Sequence, residues 1–320
     1  MRIVRYETGG IERLGVVSGE EIGPLPEGTD VLDLLAADPE ERDRIARTAE
    51  ASVPLTGVRL LAPLQPPTLR DFVVFEEHVE GITRSVSEEG GVPEAWYEIP
   101  TFYFGNPYSV IGPQDPVAVP PGCEALDFEL EVAAIIGRAG SNLAPEEARG
   151  HIAGYTILND WSARDLQRHE MQIGLGPAKG KDFANTLGPW IVTSDELEPY
   201  RRDGRLHLEM EVFVNGEKLG DDTLANMAWS FEELVAYASR GTWVRPGDVL
   251  GSGTCGSGCL AELWGRVGRQ EPPLLEPGDV VRMTVEGIGT IENRVVEGVS
   301  PVPIPRARPA AFRRMRSWGA

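Results

Sequence analysis

The chain has very little cysteine, histidine or lysine. Its 320 residues include three cysteines, Cys123, Cys255 and Cys259. An odd, small number in a chain too long to need staples excludes a disulfide scaffold. Cys255 and Cys259 have no second pair to complete a structural zinc site. Positive charge is scarce as well, with 30 basic against 50 acidic residues and a net charge of −20. That scarcity argues against a face that neutralises nucleic-acid phosphates or docks on anionic lipid. A small anionic substrate stays open, because a bound cation reverses the local field. No apolar run approaches the ~20 residues of a membrane span. The opening segment Met1 to Glu7 has no apolar signal core. The expected setting is cytoplasmic and reducing.

What is present is an ordinary globular balance, 41% hydrophobic and 25% charged. At about 150 residues per domain, the length predicts two domains. Residues 1–65 read as a small α+β unit. Strands are expected over Arg2 to Glu7 and Arg13 to Val17, then a helical stretch over Val31 to Ala49 that Pro39 splits in two. The extended segment Ala62 to Pro67 marks the boundary, since each X-Pro disfavours the helical region. Residues 66–320 hold most of the 37 glycines and 26 prolines, which favours turns over long helices. The alternation from Leu206 to Val214, followed by Asn215-Gly216, predicts a hairpin. Val280 to Val285 and Thr290 to Val296 predict another. Ser230-Phe231-Glu232-Glu233 is a capping box that opens a helix to Arg240. Helices are also expected after Pro145, from Ser162 and over 74–89. The locally basic stretch Arg306 to Arg316 reads as a tail lying on an acidic body. The fold class is α+β and β-rich.

Five segments carry residues suited to chemistry. In Leu126 to Gly137 the pattern is a strand, so Glu129 and Glu131 share a face, while Phe128, Leu130 and Val132 take the other. Two neighbouring carboxylates either face solvent or hold a hard cation. Asp160 ends an apolar run just before a helix, as an N-cap or a metal ligand. The chain has three lysines, and two of them, Lys179 and Lys181, lie in one glycine-rich loop. That loop is either mobile surface or a compact positive charge for a developing enolate. His78 sits among carboxylates that would keep it basic. Surface roles are expected for the other histidines, His151, His169 and His207. The loop Gly251 to Glu262 is rich in small residues whose backbone can approach a ligand, but lacks a P-loop ending.

Taken together, these motifs resemble the fumarylacetoacetate hydrolase superfamily. They are Asp127-Phe128-Glu129-Leu130-Glu131, Asn159-Asp160-Trp161-Ser162-Ala163-Arg164-Asp165, Gly180-Lys181-Asp182-Phe183, Ser252-Gly253-Thr254 with Glu262, and Gly289 to Asn293. The resemblance covers Asp71 to Val296. The stretch Trp96 to Gly112 is similar to the bacterial catabolic branch, which includes acylpyruvate hydrolases and 2-oxohept-3-enedioate-type isomerases and decarboxylases. The resemblance implies a mixed β-roll with a small N-terminal domain, commonly homodimeric. It implies one divalent cation, magnesium first and manganese or calcium otherwise, held by Asp71, Glu129, Glu131 and Asp160. His78 with Glu262 corresponds to a water-activating pair. Lys181, Gln167, Gly253 and Thr254 would line the substrate, and Met171 stands where the namesake has a tyrosine. Glu76-Glu77 replace Arg-Gln before His78. The implied activity is hydrolysis of a C–C bond in an acylpyruvate-like or fumarylacetoacetate-like β-diketo acid. Decarboxylation, isomerisation or hydration of an oxo-dicarboxylate is the alternative. A calcium-stabilised protein that binds a small acid without turnover is a second alternative.

Overall fold

The structure, a computed structural model, describes residues 1–49, 52–86 and 91–310. The elements used below are strands β1 (Arg2–Thr8), β2 (Ile11–Ser18), β3 (Glu21–Pro24), β4 (Leu69–Phe72), β5 (Phe102–Gly105), β6 (Leu130–Ile136), β7 (Ile152–Asp160), β8 (Asn185–Thr193), β9 (Glu209–Val214), β10 (Glu217–Thr223), β11 (Val249–Gly251), β12 (Val280–Val285) and β13 (Gly289–Val296). The helices are α1 (Val31–Ala36), α2 (Pro39–Ala46), α3 (Glu76–Val86), α4 (Arg164–Met171), α5 (Phe231–Ser239) and α6 (Leu260–Val267). The result is an α+β fold on mixed sheets. No helix among the described residues is long and apolar enough to cross a membrane.

The main sheet runs β3-β2-β1-β8-β7-β6-β11-β4-β5. Its neighbours are antiparallel except β11 and β4, which pair in parallel. The opening segment joins this sheet directly, with Arg2 opposite Val192 and Ile3 opposite Ile191. A second sheet runs β10-β9-β12-β13. Its first turn has Asn215 and Gly216 at φ 52° and 84°, the left-handed pair that a tight hairpin requires.

Strand β6 explains how a site arises inside the core. All seven of its residues are buried, so both faces must be covered. Leu130, Val132, Ala134 and Ile136 enter the larger apolar cluster with Tyr155 and Trp161. Ala133 and Ile135, on the other face, enter a cluster shared with Ile3, Leu34, Leu64 and Ile191. Glu129 and Glu131 lie on that second face, at the end where the apolar side chains stop. The period of two puts these carboxylates on one face, and the cover over both faces of β6 makes that face an inward one.

Several local expectations hold in detail. Pro39 begins α2 with Asp38 as its N-cap, and the helical stretch from Val31 is split in two. Ser230 and Glu233 form the reciprocal capping box of α5. The helix expected over 74–89 starts at Glu76, and residues 87–90 lie outside the described residues. The basic stretch Arg306 to Arg316 is described only to residue 310, and residues 297–310 are exposed and without regular structure. The helix expected from Ser162 begins at Arg164, with Ser162 and Ala163 extended, and the surface role expected for His151 is not borne out. His151 is buried, not superficial, because its Nδ1 lies 2.9 Å from the Arg138 carbonyl and satisfies the ring internally.

Candidate metal centre and active site

Asp71 on β4, Glu129 just before β6, Glu131 on β6 and Asp160 at the end of β7 converge. Each offers an oxygen within 4.8 Å of the others, and all four are buried. Asp160 is therefore no helix cap, and Glu129 and Glu131 are no solvent face. Three oxygens, Asp71 Oδ1, Glu131 Oε1 and Asp160 Oδ1, are buried without any hydrogen-bond partner. Orphaned buried acceptors are rare and need a reason. An all-oxygen set of carboxylates is the donor chemistry of a hard divalent cation, so these residues fit the expected ion.

Burial and crowding shift the charges of this cluster. Burial, with the Asp160 charge behind it, pushes Asp71 well above the usual carboxylate range. Burial and then Asp71 do the same to Glu131. Asp160 is pushed up to about 6, burial outweighing the Lys181 ammonium. Burial also acts on Glu129, but Lys181 and Arg164 outweigh it and hold that carboxyl below its ordinary value. Lys181 Nζ sits 2.5 Å from both Glu129 Oε2 and Asp160 Oδ2. Lys181 is thus a buried ammonium rather than part of a mobile surface, while Lys179 is exposed.

The second half of the site comes from two packed helices. His78 on α3 places Nδ1 at 3.3 Å from Glu262 Oε2 on α6. The helices approach closely because position 81 carries no side chain. A Cβ there would lie 2.4 Å from Glu262 Cγ. The buried Glu262 carboxylate accepts from the Ser257 N–H at 2.9 Å and from the Arg266 guanidinium. Asp127 ties α6 to the carboxylate cluster. It accepts from the Leu260 and Ala261 N–H groups at 2.8 and 3.0 Å, and from Arg164 Nε at 2.8 Å. Arg164 in turn donates to Glu129 Oε1 at 2.7 Å.

One cavity of about 1090 Å³ joins the two halves. Asp71, His78, Glu129, Arg164, Gln167, Met171, Lys181 and Thr254 are in its wall. Met171 lies at the mouth, 52% exposed. Gly253, expected beside a substrate, is not in that wall; its N–H donates to Glu131 Oε2 at 3.1 Å and holds a carboxylate from behind. Sequence reasoning passed over Tyr103, whose hydroxyl donates to Asp160 Oδ2 at 2.5 Å. It also passed over Asp127, Arg164 and Arg266 as organising groups. Arg164 lay inside a quoted motif, but nothing local marks Tyr103, which arrives from β5.

The family model described as fumarylacetoacetate (FAA) hydrolase C-terminal matches residues 69–296. A model described as Rv2993c-like, N-terminal, matches residues 1–63. The chain is 31% identical over 322 residues to a mitochondrial oxaloacetate tautomerase of Homo sapiens, covering 92% of each chain. It is 29% identical over 327 residues to a fumarylacetoacetase of Oryza sativa subsp. japonica, covering 82% of this chain and 76% of that one. The crystal structure of a 5-carboxymethyl-2-hydroxymuconate delta-isomerase from Mycobacterium smegmatis superposes with a TM-score of 0.69 at 28% identity, over 93% of this chain and 100% of that one. The buried all-oxygen cluster, the histidine–carboxylate pair across one cavity and these matches agree: the chain belongs to the fumarylacetoacetate hydrolase family.

Proposed function

We propose that this protein is a metal-dependent hydrolase that cleaves a C–C bond in a β-diketo acid of the acylpyruvate or fumarylacetoacetate type. The observation that carries this is one cavity walled by Asp71 and Glu129 of the carboxylate cluster and by His78 of the His78–Glu262 pair. Asp71, Glu129, Glu131 and Asp160 would hold one divalent cation, magnesium or manganese before calcium. When bound, that cation supplies Lewis acidity and a template for adjacent oxo and carboxylate oxygens. Glu262, anchored by Ser257 and Arg266, accepts the Nδ1–H of His78 and leaves Nε2 as the basic atom. His78 Nε2 takes a proton from water as its oxygen attacks the distal carbonyl carbon. The bond between that carbon and the central methylene breaks, and the electron pair leaves as an enolate. Lys181 places its ammonium beside that charge. The proton returns from His78 to the methylene carbon, giving two acids. Gln167 and Thr254 would orient the substrate, with Met171 at the open end.

A second activity has a specific observation in its favour, the similarity to an oxaloacetate tautomerase. The same pair would then move a proton between carbon and oxygen with no water consumed. The test is product analysis with magnesium- or manganese-loaded protein, with and without EDTA. EDTA-sensitive release of pyruvate plus a second acid from acylpyruvates supports hydrolysis, and His78→Ala should lower that rate by about 10²–10⁴-fold. Loss of the oxaloacetate enol absorbance with no new acid favours the tautomerase. A homodimer is expected as well, because the large side chains of Phe104, Tyr108, Ile173 and Leu175 are 66%, 94%, 78% and 91% exposed.

A further inference from the structure

His78 has a second neighbour that the proposed reaction does not use. Cys259 Sγ lies 3.7 Å from His78 Nδ1, and Glu262 Oε2 lies 3.3 Å from the same nitrogen. One atom from each of the three side chains falls within 4.8 Å of the others, and all three residues are buried. We propose that this trio is a second metal site, for a thiophilic divalent cation of the zinc class, and that its filling disables the His78–Glu262 pair.

The geometry supports zinc. With ligands at roughly 2.05 Å for nitrogen, 2.1 Å for oxygen and 2.3 Å for sulfur, a tetrahedral ion has a nitrogen–oxygen edge of about 3.4 Å and a nitrogen–sulfur edge of about 3.6 Å. Both distances already match without movement of the backbone. The donor set also separates this site from the carboxylate cluster. A thiolate and an imidazole prefer borderline ions such as zinc, whereas the all-oxygen cluster prefers magnesium or manganese. Charge closes too: one thiolate and one carboxylate neutralise a divalent ion, and the Cys259 proton is released as the metal binds. Glu262 keeps its contacts to Ser257 and Arg266 through Oε1, which leaves Oε2 for the ion.

The consequence for catalysis rests on the proposed role of His78. A metal on Nδ1 obliges the neutral ring to carry its proton on Nε2. The atom that should accept a proton from water then has one already. Zinc therefore inhibits without displacing the ion in the carboxylate cluster.

The test uses the full chain in excess magnesium, which keeps the oxygen site filled, and cadmium as the thiophilic probe. One equivalent of cadmium should produce an ultraviolet thiolate charge-transfer band that added zinc bleaches. Cys259→Ser and Cys259→Ala should both lose the band, and Cys255→Ser and Cys123→Ser should keep it. Two substitutions of different polarity at Cys259 guard against one that fails to fold. No band at one equivalent, or a band that survives in Cys259→Ser, overturns the site. The rate is then followed with zinc, each variant against its own zinc-free value. Loss of rate in the wild type, with resistance in Cys259→Ser, supports the disabling step. A bleached band with an unchanged rate refutes that step while the site stands. A protein that turns over none of the substrates fails the proposed function alone, because the band is read without substrate.

Discussion

Gly251→Ala tests the carboxylate cluster with a single methyl group. Gly251 sits on β11 opposite Asp71 on one side and Ala133 on the other. A Cβ at this position would lie 2.5 Å from Asp71 Oδ1, 2.8 Å from Glu131 Oε2 and 2.8 Å from Leu158 Cδ2. Ordinary contact begins near 3.4 Å, so the two carboxylates must retreat by about 0.6–0.9 Å. Both side chains are buried, at 3% and 0% exposure, and Asp71 can give way only toward the cavity that it lines, away from the other carboxylates. Overpacking of this kind costs about 1–3 kcal/mol of stability. The larger effect is expected on metal affinity, because two of the four proposed ligands lose their positions. A disturbance of ligand placement weakens metal affinity by about 10–100-fold. Calorimetric titration of the EDTA-stripped protein with manganese, wild type against Gly251→Ala, measures this. A variant that folds with normal far-ultraviolet dichroism and binds manganese within twofold of wild type would refute the assignment of Asp71 and Glu131 as ligands.

Three further outcomes follow from the same charges and surfaces. Lys181→Met removes the buried cation that holds Glu129 and Asp160, and should cost about 3–5 kcal/mol in metal-free protein and clearly less with magnesium. Urea denaturation with and without magnesium checks this, and equal losses in both states would contradict an electrostatic role. For pH, Asp71, Glu131 and Asp160 are all raised in the metal-free fold, Asp160 to about 6. Raised carboxylates add stability that is complete below about pH 4 and is lost as pH rises through their folded values. Metal-free protein should therefore melt lower at pH 7 than at pH 5, and saturating magnesium should abolish or reverse that difference. Leu175→Asp with Tyr108→Asp places charge on exposed apolar side chains; sedimentation should show dimer converting to monomer, and an unchanged mass would remove this face from the interface.

Local physics was legible wherever a short rule acts alone. The capping box at Ser230, the split at Pro39, the Asn215-Gly216 turn and the shared face of Glu129 and Glu131 each follow from neighbours within a few residues. The candidate site was legible for a different reason, since its motifs were recognisable as a set. Their meaning could not be read from spacing. A solvent face and a metal face have the same period, and only the burial of β6 on both sides separates them. Asp160 could equally have been a helix cap until Tyr103, Lys181 and the other carboxylates arrived around it.

The sequence by itself determined the residue types, their order and the local turns, because backbone preference and side-chain period act over a few residues. The tertiary structure alone decided which charges are buried together. Asp71 and Glu131, His78 and Glu262, Asp127 and the start of α6, and Cys259 and His78 are each brought together across long stretches of chain. Sheet pairing and helix packing set those distances. The low polarizability of the interior then turns proximity into raised carboxylates, a trapped ammonium and two candidate metal sites of opposite hardness.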